Sequence, residues 1–208
     1  MNKLLNQISF FTNFKTLIKD NLRNIIIFAF ILLLFFLGQQ IYSFFNNQKI
    51  HKLSILYEEA KNSNSENKFL KDMKIISDDK SFFSYMAKLE IIKNKIKNKN
   101  YNESYEDYII LLNDKNLNNL YKTSISINAS YNLLNHIDNN KILNLLSYVD
   151  QNINSFFGYY LEILYLLYNN DNNKENMQST YDQIMNNENI HPNIKNRVKT
   201  INDFEKYK

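Results

Sequence analysis

The chain is poor in the residues that interrupt regular helices. Its 208 residues include two glycines, one proline, no cysteine and no tryptophan. Sheet proteins place glycine and proline in their turns, and dinucleotide-binding folds need a glycine-rich loop, so this scarcity disfavours both. The absence of cysteine excludes disulfides and thiolate metal sites. The composition therefore predicts an all-α protein.

Arginine is as scarce as glycine, although lysine is abundant. Arg23 and Arg197 are the two arginines, and the net charge of +4 is spread along the chain. Proteins that read nucleic acids cluster basic residues on one face and prefer arginine for two-pronged contacts. We therefore expect no nucleic-acid partner. Asparagine is the dominant polar residue, and we interpret most of it as filler on solvated faces, in turns and at helix ends.

No motif identifies a catalytic or cofactor site. His51, His136 and His191 are isolated, without the paired spacing of a metal site. There is no phosphate-binding glycine loop and no nucleophile with an identifiable base. We expect no enzymatic activity, no cofactor, no metal and no small-molecule substrate.

One long uncharged run lies near the N-terminus. No charged residue occurs between Asn24 and Gln48, and residues 25–45 are mostly aliphatic or aromatic. About 20 apolar residues span the hydrocarbon core of a bilayer, so the run predicts a transmembrane helix over residues 24–46. A buried core helix is one alternative. A cleaved signal peptide is another, but the run is longer than a signal peptide's apolar region and no small-residue cleavage site follows it.

Residues 1–23 form a short leader. Leu4, Ile8, Phe11 and Phe14 recur at helical spacing, which is typical of a helix lying in the membrane interface; an unstructured leader with accidental periodicity is the alternative. Three basic residues lie within a similar distance on each side of the span. They are Lys15, Lys19 and Arg23 before it, and Lys49, Lys52 and Lys61 after it. Because the two sides balance, charge does not fix the orientation.

Residues 47–208 carry a helical periodicity with polar breaks. Residues 48–62 continue the membrane helix, and a short helix follows. We then expect helix pairs over about 82–97 and 101–112, about 117–134 and 140–150, and about 155–168 and 173–186. A last helix begins at Pro192, since proline is tolerated in the first turn. On the helix over about 82–97, one apolar face is expected to carry Phe82, Met86, Leu89, Ile92 and Ile96.

The spacing of these pairs is close to that of tetratricopeptide (TPR) repeats, which have about 34 residues. Residues 99–108 follow the pattern of the second helix of such a repeat, with Ser104 at the small position and Tyr108 at the aromatic one. Ile142 and Met177 take the corresponding positions. The predicted fold is therefore one N-terminal transmembrane helix followed by a TPR-like α-solenoid of paired antiparallel helices; a plain helical bundle is the alternative. The positions expected to pack between helices are Ile92, Tyr101, Ser104, Tyr108, Leu111, Ile142, Leu146, Met177, Tyr181 and Ile184.

Stacked helix pairs of this kind leave a surface on which other proteins dock. A dense aromatic cluster is a second candidate for partner binding, and internal packing is its alternative. Its members are Phe156, Phe157, Tyr159 and Tyr160.

A leader, one span and about 160 residues of degenerate TPR-like helices resemble the YfgM-like family of ancillary subunits of the bacterial Sec translocon. The matching stretches are residues 84–89 (SYMAKL), 101–104 (YNES) and 177–181 (MQSTY). Ser104 and Met177 stand where the family has alanine, and the family's acidic leader is absent.

The resemblance implies a single-pass protein of the bacterial inner membrane, with its N-terminus in the cytoplasm and its helical domain in the periplasm. It also implies protein partners: translocon subunits, a membrane-anchored chaperone or unfolded secreted clients. The alternative function is a scaffold that assembles an inner-membrane complex without binding clients, and a regulatory subunit of an enzyme comes third.

Overall fold

In a computed structural model of the protein, the backbone is described for residues 2–79 and 81–205, and the side chains for residues 21–24, 26–79 and 81–205. These residues form nine α-helices and no strand, which confirms the all-α prediction. The contacts divide the chain into residues 1–63 and 64–208.

The first unit consists of one uninterrupted helix, α1 (Asn2–Lys61). At 1.5 Å per residue its length is about 90 Å, three times the thickness of a bilayer core. Every described side chain from Leu22 to Ile50 is exposed. Within the described part of the chain, α1 is the one helix long and apolar enough to span a membrane. The expected apolar face of the leader (Leu4, Ile8, Phe11, Phe14) lies outside the described side chains.

Eight helices make up the second unit. They are α2 (Glu66–Ser77), α3 (Phe82–Lys97), α4 (Tyr101–Leu112), α5 (Asn119–Leu133), α6 (Asn139–Leu146), α7 (Asn154–Asn170), α8 (Lys174–Asn186) and α9 (Pro192–Glu205). The helices α3 and α4, α5 and α6, and α7 and α8 pack as pairs, and α4 also contacts α5. In addition α2 packs against α3, α5 against α7, and α9 against both α7 and α8.

The turn inside each pair uses one left-handed residue. Lys99 (φ 62°), Asn135 (φ 66°) and Asn172 (φ 54°) occupy these positions, which glycine usually fills after a helix. After α3 the Asn100 N–H donates to the Lys95 carbonyl at 2.9 Å, and Asn173 bonds in the same way after α7. The chain therefore makes its tight helix–helix turns almost without glycine.

Helix α6 is shorter than the sequence pattern predicts. It ends at Leu146 instead of continuing to about Asp150. The N–H groups of Tyr148 and Val149 donate to carbonyls three residues back, which tightens the chain after the helix. The Asp150 N–H then donates to the Thr123 hydroxyl at 2.9 Å, so a bond to α5 replaces the next helical bond.

The core forms two clusters, one from α3 through α7 and one among α7, α8 and α9. Buried positions recur along it at intervals of 38 residues. In the first helices of the pairs they are Ala87, Ile125 and Ile163; in the second helices they are Ser104, Ile142 and Thr180, and also Tyr108, Leu146 and Ile184.

Gly158 explains how closely α7 and α9 approach. A Cβ atom at this position would lie 2.9 Å from Ile194 Cδ1 and 3.2 Å from Ile190 Cγ2. Real Cβ atoms do not pack that tightly, so a side chain here would require the Ile194 and Ile190 side chains to shift. The glycine thus serves close packing.

Candidate functional site

Most of the positions expected to pack between helices are buried. Tyr101, Met177 and Tyr181 are partly buried. The other seven, each 3% exposed or less, are Ile92, Ser104, Tyr108, Leu111, Ile142, Leu146 and Ile184. These side chains form the interior of the helix pairs.

The buried small position of α8 is Thr180, three residues after Met177. Its hydroxyl donates to the Asn176 carbonyl at 2.8 Å, just as the Ser104 hydroxyl donates to the Asn100 carbonyl at 2.9 Å in α4. Each hydroxyl donates its hydrogen bond to a backbone carbonyl one turn earlier in the same chain segment, so each can be buried without a partner from another helix. Thr180 rather than Met177 therefore shares the local environment of Ser104.

The aromatic cluster on α7 is divided between the two cores. Phe156 packs on the first cluster and Phe157 on the second, and Tyr160 contacts both. Tyr159 is the exposed member, with its ring edge-on to Tyr131 at 6.5 Å. The cluster thus offers one aromatic side chain to solvent.

A groove between α3 and α5 is an open and largely apolar feature of the second unit. One part, of about 370 Å³, lies between Phe82, Tyr85, Met86 and Leu89 on α3 and residues 116–125, which include Tyr121 and Ile125. Phe82 is 54% and Tyr121 49% exposed, with ring centroids 6.1 Å apart, so two aromatic rings stand at the mouth. We call this feature the α3–α5 groove.

The α3–α5 groove continues along the helices. Its second part, of about 470 Å³, shares Met86, Leu89, Ser124 and Ile125 with the first and is bounded at the far end by Glu90, Lys93 and Tyr108. Three polar residues of α5 follow the second part at intervals of four: Ser124, Asn128 and Asn132. Residues spaced by four form one row on a helix, so these side chains make a polar ladder beside an apolar wall.

Little net charge faces the α3–α5 groove. Lys93 Nζ lies 4.0 Å from Glu90 Oε2, so the charges of these two residues offset each other. At the other end the Tyr85 hydroxyl donates to Asp114 at 3.2 Å. Burial raises the pKa of Tyr85, and the bond to Asp114 raises it further, so the hydroxyl stays neutral at physiological pH. The groove is therefore apolar on one side, amide- and hydroxyl-lined on the other, and close to neutral.

Sequence reasoning missed this groove because its α3 wall has the periodicity of a core face. Phe82, Met86 and Leu89 were expected to pack inward, yet Phe82 is exposed and the other two are partly buried. The buried residues of α3 are Ser84, Ala87 and Ile92, and of the five residues expected on the apolar face Ile92 alone is fully buried. The broad apolar stripe, wider than one neighbour can cover, was the available signal.

A buried polar cluster joins three helices elsewhere in the second unit. The Glu162 carboxylate on α7 accepts hydrogen bonds from the Tyr131 hydroxyl of α5 at 2.6 Å and from Arg197 Nε of α9 at 2.7 Å. Burial raises the pKa of Tyr131, and the hydrogen bond and charge of Glu162 add to the rise. The same carboxylate raises the pKa of Arg197. Each of these polar groups has a hydrogen-bond partner within the cluster, so the cluster stabilises the packing of α5, α7 and α9.

Among the described residues, no group of three or more histidine and acidic side chains lies close enough to hold a metal ion. His136 stacks on Tyr101 with ring centroids 4.1 Å apart. It therefore serves as a packing group between α4 and the turn after α5.

Comparisons with protein-family models, curated proteins and solved structures found no match to this chain. The α3–α5 groove and the long apolar helix α1 are therefore the features that bear on function.

Proposed function

We propose that residues 64–208 form a TPR-like solenoid. Two features support this. Buried positions recur every 38 residues in both helices of each pair, close to the length of a TPR repeat. Neighbouring pairs also contact each other, α4 on α5 and α5 on α7, and contacts of this kind between neighbours build a continuous core in stacked repeats.

We further propose that α1 anchors the protein in the bacterial inner membrane. The exposure of every described side chain in its apolar run supports an anchor, because a core helix of a soluble protein would be covered by its own chain. The N-terminus lies in the cytoplasm and the helical domain in the periplasm. This orientation rests on the resemblance to YfgM-like proteins.

The function that follows is protein binding at the membrane. The protein acts as an ancillary translocon subunit, a chaperone-like factor that holds segments of secreted clients or chaperones in the α3–α5 groove. The observation that carries this proposal is the groove itself, an apolar surface left open beside a well-packed core. Apolar clefts bordered by a few polar groups are the usual form of binding sites.

The anchor and its orientation can be tested together. Alkaline phosphatase, which is active only in the periplasm, is fused after Lys208, and the membranes are washed with carbonate. We expect an active, membrane-bound fusion. Leu33→Lys with Phe35→Lys should release the protein, because each central charge costs about 2.5–3.5 kcal/mol on insertion scales. Gln48→Lys, beyond the apolar run, should stay bound; an inactive wild-type fusion overturns the orientation.

Client binding can be tested by co-purification from mildly solubilised membranes. Phe82→Glu places a charge at the mouth of the groove, and Phe204→Glu is a matched control on α9, where Phe204 is 68% exposed. We expect wild type and Phe204→Glu to retain translocon subunits and a secretory precursor, and Phe82→Glu to lose the precursor. A precursor that binds all three equally contradicts the proposal, and translocon subunits without any precursor would favour a scaffold.

A further inference from the structure

The apolar part of α1 is too short to cross a bilayer without polar groups. Residues 25–37 are apolar throughout, and at 1.5 Å per residue they cover about 20 Å. The charged Arg23 lies just before them. Because the hydrocarbon core is about 30 Å thick, a span that starts after Arg23 continues to about residue 44. Gln39 and Gln40 therefore lie inside the core.

Polar side chains follow one face of α1 from this point onwards. Successive residues of a helix are about 100° apart, which places the polar groups within a sector of about 120° and the apolar groups on the other side. The polar set is Gln39, Gln40, Ser43, Asn46 and Asn47, and the apolar set is Ile41, Tyr42, Phe44 and Phe45. All of these side chains are exposed on α1.

The carboxamides of Gln39 and Gln40 need partners in the membrane. Hydrocarbon offers no hydrogen bonds, and a polar group without a partner there is strongly unfavourable. The exposed face of α1 leaves both side chains uncovered by the chain itself. Polar side chains of transmembrane helices commonly bond across to a second helix. The polar face therefore marks a contact with another transmembrane helix.

The same face has the spacing of a parallel coiled coil. Gln40 and Asn47 are seven residues apart and Ser43 lies between them, which gives the alternating intervals of three and four of the inner heptad positions. Apolar residues occupy the inner positions before and after them. We call the whole set the α1 seam: Ala29, Leu33, Phe36, Gln40, Ser43, Asn47 and Ile50. At 1.5 Å per residue the seam is about 30 Å long.

The α1 seam is complementary to itself. A carboxamide both donates and accepts, so Gln40 can pair with the same residue of a second copy. Copies inserted in one orientation hold that residue at the same depth, so their seams align without a shift. The cations Lys49 and Lys52 fall at outer heptad positions, so two parallel copies keep these like charges apart.

We infer that α1 pairs with a second copy of this chain in the membrane. The two helices form a parallel coiled coil along the α1 seam, with Gln40 bonded across the interface and Gln39 at its edge. This inference rests on the proposed membrane anchor and names the partner of the anchoring helix.

Because the chain has no cysteine, single substitutions allow the pairing to be tested by disulfide formation. Full-length chains with two different epitope tags are co-expressed in bacteria, and carbonate-washed membranes are oxidised with copper phenanthroline. Ile50→Cys places a thiol in the α1 seam, and Gln48→Cys, also exposed, is the matched control on the outer face. We expect a doubly tagged dimer from Ile50→Cys with at least five times the yield from Gln48→Cys.

Further variants in the Ile50→Cys chain assign the pairing to the carboxamides. Gln39→Leu with Gln40→Leu should lower the dimer yield about fivefold, because the hydrogen bonds between the helices are lost. Gln39→Asn with Gln40→Asn keeps both amides and should retain the dimer. Ile41→Leu with Tyr42→Leu changes the apolar face of the same turn and should leave the yield unchanged.

The outcomes separate the pairing from the anchor. Release of every variant by the carbonate wash overturns the anchor and the pairing with it. Retention in the membrane with equal yields from Ile50→Cys and Gln48→Cys overturns the pairing and leaves the anchor intact. A disulfide to another protein without a doubly tagged dimer overturns the second copy as the partner. An undiminished dimer in the double leucine variant overturns the role of Gln39 and Gln40.

Discussion

Glu162 and Arg197 form a two-pronged ion pair across α7 and α9, with Nε–Oε1 and Nη2–Oε2 distances of 2.7 and 2.5 Å. The Glu162 side chain is 4% exposed, whereas that of Arg197 is 50% exposed. The carboxylate therefore depends on Arg197 and Tyr131 for the solvation that burial removes. One of the two arginines in the chain thus joins the last helix, α9, to α7.

Removing Arg197 should destabilise the protein much more than removing an exposed cation. Arg197→Ala leaves a buried carboxylate without its partner, and we expect a loss of about 3 kcal/mol in the free energy of unfolding. Lys74→Ala breaks an ion pair with Asp78 in which both side chains are at least 65% exposed, and should cost about 0.5 kcal/mol or less. Urea unfolding of both variants measures the difference. Equal losses in the free energy of unfolding would show that the pair of Glu162 and Arg197 does not stabilise the fold more than a surface ion pair does.

Ser104 tests the packing of α4 in its pair. It is fully buried, so Ser104→Phe should cost about 1–3 kcal/mol or more through overpacking, while Ser104→Ala should be nearly neutral. Asn102→Phe, two residues earlier, loses a hydrogen bond from Lys141 on the surface and should cost little. Thermal melts decide, and equal melting temperatures for the two phenylalanine variants would contradict the register.

Lys99 adopts a left-handed backbone conformation that costs an L-residue about 1–2 kcal/mol relative to glycine. Lys99→Gly should therefore stabilise the protein by up to about 1 kcal/mol. Lys97→Gly, at the last helical residue of α3, should instead destabilise it by up to about 1 kcal/mol. Substitution by glycine is therefore expected to change stability in opposite directions at two positions only two residues apart. A melting temperature that falls for both variants would contradict the turn geometry.

Buried tyrosines should make the protein labile to alkali. Burial raises the pKa of Tyr165 to about 12, and the nearby charges of Glu205 and Asp203 add to the effect. A tyrosine in the unfolded chain has a pKa of about 10. The neutral, buried hydroxyl of Tyr165 therefore contributes fully to stability below pH 10, and this contribution is lost as the pH rises towards 12. Tyr165→Phe should be less sensitive to pH between 10 and 12 than wild type, measured by urea unfolding at each pH. Tyr121→Phe, at the mouth of the groove, is the control, and parallel pH profiles for all three proteins would contradict the assignment.

The sequence predicted the helices well because their signals are local. The bounds of α3 and α4 follow from apolar periodicity and from the polar turn at residues 98–100. The predicted end of α6 was wrong because a tertiary hydrogen bond determines it. The bond from the Asp150 N–H to the Thr123 hydroxyl replaces the last turn expected for α6.

The candidate site was harder to predict because its parts lie far apart in sequence. Phe82 and Tyr121 meet across 39 positions, and helical periodicity carries no information about which side of an apolar stripe is left uncovered. The hydrogen bond from Tyr131 to Glu162 could not be predicted either, because these two residues are also far apart in sequence. Asparagine was read mainly as filler, yet Asn135 bonds Asn170 and Asn144 bonds Tyr105 across successive pairs.

Site-specific photo-crosslinking in living bacteria tests the central claim most directly. A photoreactive amino acid replaces Tyr121 at the mouth of the groove, Tyr159 on α7 or Lys199 on α9, all three of which are exposed. The cells are irradiated while a secretory precursor crosses the membrane. Binding in the α3–α5 groove predicts a crosslink to the precursor from position 121 and none from positions 159 and 199. Equal yields from the three positions, or a crosslink from position 159 alone, would contradict it.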